Sequence, residues 1–381
     1  MCNRKTRKKM KRLFTYILGL LGFSFALTAC DDWLETEIKN PADLINSAKD
    51  DAYYERLRAY KNSDHPVAFG YYGNWTGTGA SYENSLKGLP DSVDFVSLWG
   101  NWKNPTPAMM DDLRYVQKKK GTKVLVCFLV LDIGDQITPP MPQEEIDNGT
   151  SDKEWRHKYW GWDYNLENRL AAVEKFANAI CDTIDKYGYD GFDMDAEPSM
   201  AHPFPTDKEL WQNDKQVIQK FVETMSKRVG PKSGTGRMFL VDGEPDALPA
   251  HLFSHFDYLV LQTYTTHFIQ DNSRLDTRFE KQYQHFKEEA VVDEIARKII
   301  VCENFEDWAK TGGADFYLPD GTTVNSLSGF ALWNPSLNGA QYRKGGVGTY
   351  HMEYEYRVSA QGTDTYPALR KAIQLQNPSI K

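Results

Sequence analysis

The chain has 381 residues, 41% of them hydrophobic and 13% aromatic, with 45 Lys+Arg against 53 Asp+Glu and five cysteines. That length suits one large α/β domain with loop insertions, and the apolar share supplies a large core. The acidic balance argues against nucleic acid or an anionic membrane surface as a partner.

Residues 1–29 read as a leader outside the fold. Seven basic residues from Arg4 to Arg12 form its head, and "LFTYILGLLGFSFALTA" is an apolar body too short to span a bilayer. Met10 opens an equally complete leader. The leader ends in "LTAC", which resembles a bacterial lipobox and implies that Cys30 receives lipid. "CDDWLETE" resembles the acidic start of surface-exported bacterial lipoproteins, so the expected location is the outer membrane, facing out. Loss of the leader leaves 38 Lys+Arg against 53 Asp+Glu, a net charge of −15.

Residues 30–64 are polar, with one amphipathic helix expected in "SAKDDAYYERLRAYKN"; the segment reads as a tether. Beyond it, apolar runs bounded by turns, as buried parallel strands require, are predicted at 67–75, 94–102, 123–130, 190–197, 238–244, 256–264, 298–305 and 345–356. "SGFALWN" (328–334) competes for the eighth place, but the glycines of "GGVGTYHMEYEY" start a strand more cleanly. "NLENRLAAVEKFANAICDTIDKYG" is the clearest helix: Leu166, Leu170, Val173, Ala177, Ile180 and Ile184 recur at helical spacing, and Gly188 closes it. Only the stretch 244–256 is too short for a full helix. Eight βα units predict a single-domain TIM (β/α)8 barrel over 65–381, with long βα loops and functional groups at the C-terminal strand ends.

Cys127, Cys181 and Cys302 sit in apolar runs, odd in number and without zinc spacing, and read as buried free thiols. His65, His157, His251, His267 and His351 show no ligand spacing, so no metal and no cofactor is expected. A monomer is expected.

The densest signal is "YDGFDMDAE", with Asp190, Asp193, Asp195 and Glu197 interleaved with apolar residues. On a strand, Asp193, Asp195 and Glu197 share one side, and Phe192, Met194 and Ala196 the other. Crowded carboxyls raise one another's pKa, so a shielded Glu at a strand end holds its proton near neutrality and suits a general acid. A calcium loop would need a flexible turn and further acids beyond Glu197, which the sequence lacks.

This stretch resembles the signature of glycoside hydrolase family 18, an apolar residue followed by DGxDxDxE. The resemblance implies a TIM barrel carrying the motif on its fourth strand, and a substrate-assisted mechanism outside the usual two-carboxylate scheme. In it Glu197 protonates the glycosidic oxygen, Asp195 orients the substrate's acetamido group, and Asp193 holds Asp195 and shares a proton with it. Asp190 is expected to be structural. "LVLQTYT" supplies Gln262 and Tyr264, where the family places a Tyr against the acetamido oxygen. Chitinases of the family usually read Met-x-Tyr-Asp there. The Gln-Thr-Tyr-Thr of this chain resembles the endo-β-N-acetylglucosaminidase branch, which implies N-glycans of glycoproteins as substrate. The alternatives are a chitinase-like hydrolase and a surface protein that binds glycans without cutting them.

Trp75, Trp99, Trp102, Trp160, Trp162 and Trp333 lie at strand ends or on expected loops, where rings suit sugar C–H faces; they are expected to bind substrate.

Overall fold

A computed structural model describes residues 49–199, 208–212, 215–264, 270–356 and 365–378. The leader, Cys30 and His267 lie outside the described residues. Eight parallel strands close into a barrel: β1 (Val67–Tyr72), β2 (Phe95–Leu98), β3 (Lys123–Leu129), β4 (Gly191–Ala196), β5 (Met238–Gly243), β6 (Tyr258–Gln262), β7 (Ile299–Asn304) and β8 (Gly346–Tyr350). Each pairs with its sequence neighbour, and β8 returns to β1 with Val67 opposite Gly346. All eight predicted strands are present, trimmed at their ends. "SGFALWN" is instead mostly helical, because Asn325 caps a turn there by accepting from the Ser328 backbone N–H.

Alternation along the strands separates two apolar layers. Phe69, Tyr71, Leu125, Cys127, Leu240 and Val260 pack inside the barrel. Val96, Val126, Phe192, Met194, Val241 and Leu261 belong to the larger core beneath the helices. The surrounding helices include α1 (Asp51–Lys61), α2 (Pro107–Tyr115), α3 (Asp152–Trp160), α4 (Leu166–Tyr187), α5 (Gln216–Met225), α6 (Asn272–Phe286), α7 (Val292–Lys298), α8 (Ser326–Leu332) and α9 (Pro367–Gln376). Helix α4 starts at Asn165, whose side chain accepts from the Glu167 N–H, and ends at Gly188 in the left-handed conformation (φ 63°). Its Val173, Phe176, Ala177, Ile180 and Ile184 are buried, so the periodic stripe faces the barrel. Between β5 and β6 there are only the short 3-10 turns Pro245–Ala247 and Ala250–His255.

Two expectations change. Helix α1 is docked on the domain and does not hold it at a distance. Tyr54 is buried, and Lys61 Nζ donates to the Val93 carbonyl (2.6 Å) and Thr122 Oγ1 (2.7 Å). Arg58 reaches the Lys119 carbonyl, and Asp91 accepts from Lys49 Nζ (2.7 Å) and Tyr53 OH (2.9 Å). Tyr54 alone in the helix is fully buried, so polar groups do most of the docking. The segment between β7 and β8 is also more ordered than a loop. Thr323–Asn325 pairs with Asp315–Tyr317, which pairs in turn with Gln270–Asp271. Phe316 seals this small sheet against Phe330 of α8.

The three expected free thiols are buried and unpaired.

Candidate active site

The register of β4 decides the geometry. Phe192, Met194 and Ala196 point into the outer core, so Asp193 and Asp195 face the barrel interior and Glu197 follows at its mouth. Asp193 is sealed (0% exposed) and accepts from Ser97 Oγ at 2.6 Å. Asp195 lies opposite Asp242 of β5 in the strand ladder. Carboxylate oxygens of Asp195, Glu197 and Asp242 all lie within 4.8 Å of one another. Gln262 Nε2 donates to Asp242 Oδ1 at 2.8 Å, and Cys127 Sγ sits 3.9 Å from Asp242 Oδ2. Tyr264 stacks on Tyr350 (centroids 5.8 Å apart), and Tyr71 meets Tyr350 edge-on. The mouth is thus an acidic column walled by tyrosines.

Asp242 escapes a reading of the sequence. A single acid in "MFLVDGE" forms no pattern of its own; only the ladder partner Asp195 gives it meaning. The same holds for Ser97, a lone hydroxyl in an apolar strand, and for Tyr350.

Burial sets the protonation of the column. Asp195 is held well above the ordinary carboxylate range by desolvation, then by the charges of Glu197 and Asp193. Asp242 is raised likewise by desolvation, then by Asp195 and Asp193, while the Gln262 hydrogen bond opposes the shift. Desolvation also raises Asp193, against the hydrogen bonds from Ser97 and Asp242. Asp242 lies beside both aspartates: it is the ladder partner of Asp195 and has a carboxylate oxygen within 4.8 Å of one on Asp193. Oδ1 of Asp193 and of Asp195 is buried without a partner among the described residues. Carboxyls crowded this closely and shielded from water favour their neutral forms. The Gln262 amide nitrogen facing Asp242 is a donor, which fits protons better than a cation.

Glu197 is less buried than Asp193 and Asp242 and faces the opening. Its pKa is raised by desolvation, lowered in part by a Gln262 hydrogen bond, and raised by the charge of Glu244. Glu244 is fixed just past β5 by its N–H to the Ala196 carbonyl (2.7 Å), and its Oε2 accepts from the Ser199 N–H (3.1 Å). If Glu197 acts as an acid, kcat/KM falls as pH rises through its pKa. Glu244→Gln removes the repelling charge, lowers that pKa and should move the alkaline limb to lower pH. Gln262→Leu removes stabilisation of the charged form and should move the limb to higher pH. A pH series of kcat/KM on the three proteins checks both signs.

Most of the tryptophans expected to bind substrate are structural. Trp75 is fully buried, its Nε1 donating to Asp112 Oδ2 at 2.9 Å; the same carboxylate accepts from Ser85 Oγ and the N–H groups of Leu86 and Lys87. Trp333 donates to Asp276 (2.9 Å) and Trp160 to Thr138 Oγ1 (2.9 Å), both buried. Trp162 is covered by the Arg169 guanidinium, 5.1 Å from its ring. Trp102 is buried and stacks on Phe128 at 5.4 Å, although it also lines the cleft beside it. Large rings at strand exits close the barrel's outer layer in preference to facing solvent. Trp99 is the exception, at 37% exposed. Asp190 proves structural, accepting from the Val124 N–H and the Gln117 amide.

Comparison with known proteins follows this geometry. The family model "Glycoside hydrolase family 18, BT1044-like" matches residues 33–375. The chain belongs to this family of glycoside hydrolases. Among family relatives, the chain is 26% identical over 348 residues to endo-beta-N-acetylglucosaminidase F2 of Elizabethkingia meningoseptica, covering 84% of this chain and 85% of that one. It is 33% identical to a solved selenomethionine BT1044 carrying a Glu→Gln substitution (TM-score 0.69), covering 86% of this chain and 92% of the other. The fold also matches an endo-beta-N-acetylglucosaminidase of Cordyceps militaris in apo form, at 21% identity and TM-score 0.57, over 90% of this chain and all of that one. Membership of family 18 makes the chain a glycoside hydrolase.

Proposed function

We propose that this chain is an endo-β-N-acetylglucosaminidase that cuts the β-1,4 bond between the two core N-acetylglucosamines of N-glycans, with retention of configuration and the substrate's own acetamido oxygen as nucleophile. The observation that carries this reading is the layering of the column: Glu197 and Asp195 are both half-buried at the mouth, above the sealed Asp193 and Asp242, and desolvation raises the pKa of each. Attack by the acetamido oxygen leaves positive charge at the acetamido nitrogen, so Asp195 passes its proton down to Asp193 and, as a carboxylate, accepts from the acetamido N–H and stabilises that charge. Glu197 gives its proton to the leaving oxygen, then takes one from the incoming water. Tyr264, whose hydroxyl is held in its neutral form by burial and by Cys302, Asp242 and Asp195, donates to the same acetamido oxygen. The name of the Elizabethkingia relative supports the choice of N-glycans over chitin. Cys30 is proposed as a lipid anchor at the outer face of the outer membrane, carrying a monomer.

Digesting a glycoprotein and chitin oligomers side by side tests the reaction. Mass spectrometry should find glycans ending in one N-acetylglucosamine and a single N-acetylglucosamine left on the protein. Release from chitin oligomers alone would place the chain with chitinases, and glycan binding without release would leave it a binding protein.

A further inference from the structure

Trp99 lies on the wall of a cleft of about 660 Å³ just past the exits of β1 and β2, within the range of pockets that take whole ligands, about 300–1,000 Å³. Thr76, Thr78, Asn101, Asn104 and Gln136 give the cleft hydrogen-bonding groups beside the indole. Trp99 contacts Tyr350 (5.7 Å), which stacks on Tyr264, so a run of rings joins the cleft to the carboxylate column.

The indole is held from behind. The His351 ring meets it edge-on at 4.9 Å and 88°, and His351 Nδ1 is bonded to Glu353 Oε1 at 3.0 Å. Gly73 lies under the ring: a Cβ there would fall 2.5 Å from Trp99 Cζ2 and 2.9 Å from Glu353 Oε1. Two features of this support are unfavourable in themselves. His351 takes a left-handed conformation (φ 53°), and Glu353 is buried with Oε2 unpartnered among the described residues. Closure of the barrel requires neither, since β8 already ends at Tyr350. His351 also stacks on the exposed Tyr354 (4.3 Å), but of the two exposed rings it supports only Trp99 lines the cleft, which points to a ring that must not move.

We propose that Gly73, His351 and Glu353 form a clamp that fixes the Trp99 indole as the stacking floor for a neutral hexose of the glycan, beyond the two residues joined at the cleaved bond. This rests on the N-glycan reading above and makes Trp99 the residue that distinguishes glycans carrying extended arms from the bare core. Sugar C–H faces bind flat aromatic surfaces, and the polar cleft residues take the hydroxyls. The remaining three residues are positioning residues; none touches sugar.

The test uses Glu197→Gln as the background and two glycopeptides, one with extended arms and one trimmed to the core, with affinity measured by calorimetry. Trp99→Ala should reduce the ratio of extended to core affinity by about 10-fold. Gly73→Ala, which leaves Trp99 in place but pushes on it, should reduce the same ratio. His351→Ala should do so too, while His351→Asn, which tolerates the left-handed backbone and can still donate to Glu353, should restore most of it. If both glycopeptides weaken equally in Trp99→Ala, or neither weakens, the clamp has no role in recognition and the proposal falls, with the N-glycan reading intact. If the background protein binds neither glycopeptide, the N-glycan reading falls and takes this proposal with it.

Discussion

Replacing Glu197 by Gln should lower kcat by about 10²- to 10⁴-fold, the usual worth of a positioned proton donor, while glycan affinity stays close to that of the parent protein. The reason is local. Glu197 sits at the mouth, and its substitution keeps shape and hydrogen-bonding capacity while removing the transferable proton. Gln262, which bonds the charged carboxylate, can equally bond an amide. Single-turnover release from a glycoprotein measures the first quantity, and calorimetric titration with the intact glycan the second. Turnover at the parent rate would remove Glu197 from the chemistry and leave the acidic strand unexplained.

Asp242→Asn should lose activity and gain stability together. Asp242 accepts from Gln262 through Oδ1, which the amide preserves, but Asn cannot take up or release a proton beside Asp193 and Asp195. Loss of that preorganised group should cost about 10²-fold in kcat. The stability change follows from where the proton is bound. Burial raises the folded pKa of Asp242 above its unfolded value of about 3.9, so between the two the folded state binds more protons and stability falls as pH rises. Below the unfolded value the group is neutral in both states and carries no penalty. Asn removes the penalty, so melting at pH 7.5 should rise by about 2 °C, on the order of 1 kcal/mol, and the gain should vanish towards pH 4. An equal shift at both pH values would assign the change to packing and not to a buried charge.

The barrel was legible because parallel strands buried on both faces must be continuous apolar runs, and those runs survive in the sequence whatever the loops do. The acidic line on β4 was legible for a related reason: a period of two along a strand fixes which side chains share a face. What escaped was contact across strands. Asp242 matters through its ladder partner, and no periodicity in "MFLVDGE" announces a neighbour nearly fifty positions earlier. The tryptophans failed differently. A ring at a strand end is compatible with solvent or with the outer layer, and hydrogen bonds donated to Asp112 and Asp276, distant in sequence, settle Trp75 and Trp333 inside. Helix α1 was legible as a helix, but its docking depends on lysine and arginine finding backbone carbonyls, which composition does not reveal.

The docking of α1 has a mechanical consequence. Its partners Val93 and Thr122 immediately precede β2 and β3, and near the other terminus Gln376 and Asn377 donate to the carbonyl of Pro66 ahead of β1. Both ends of the described chain are therefore gathered on the floor of the barrel, while Glu197 opens at its ceiling. A force entering the domain through Lys49 would load the floor first, at the end away from Glu197.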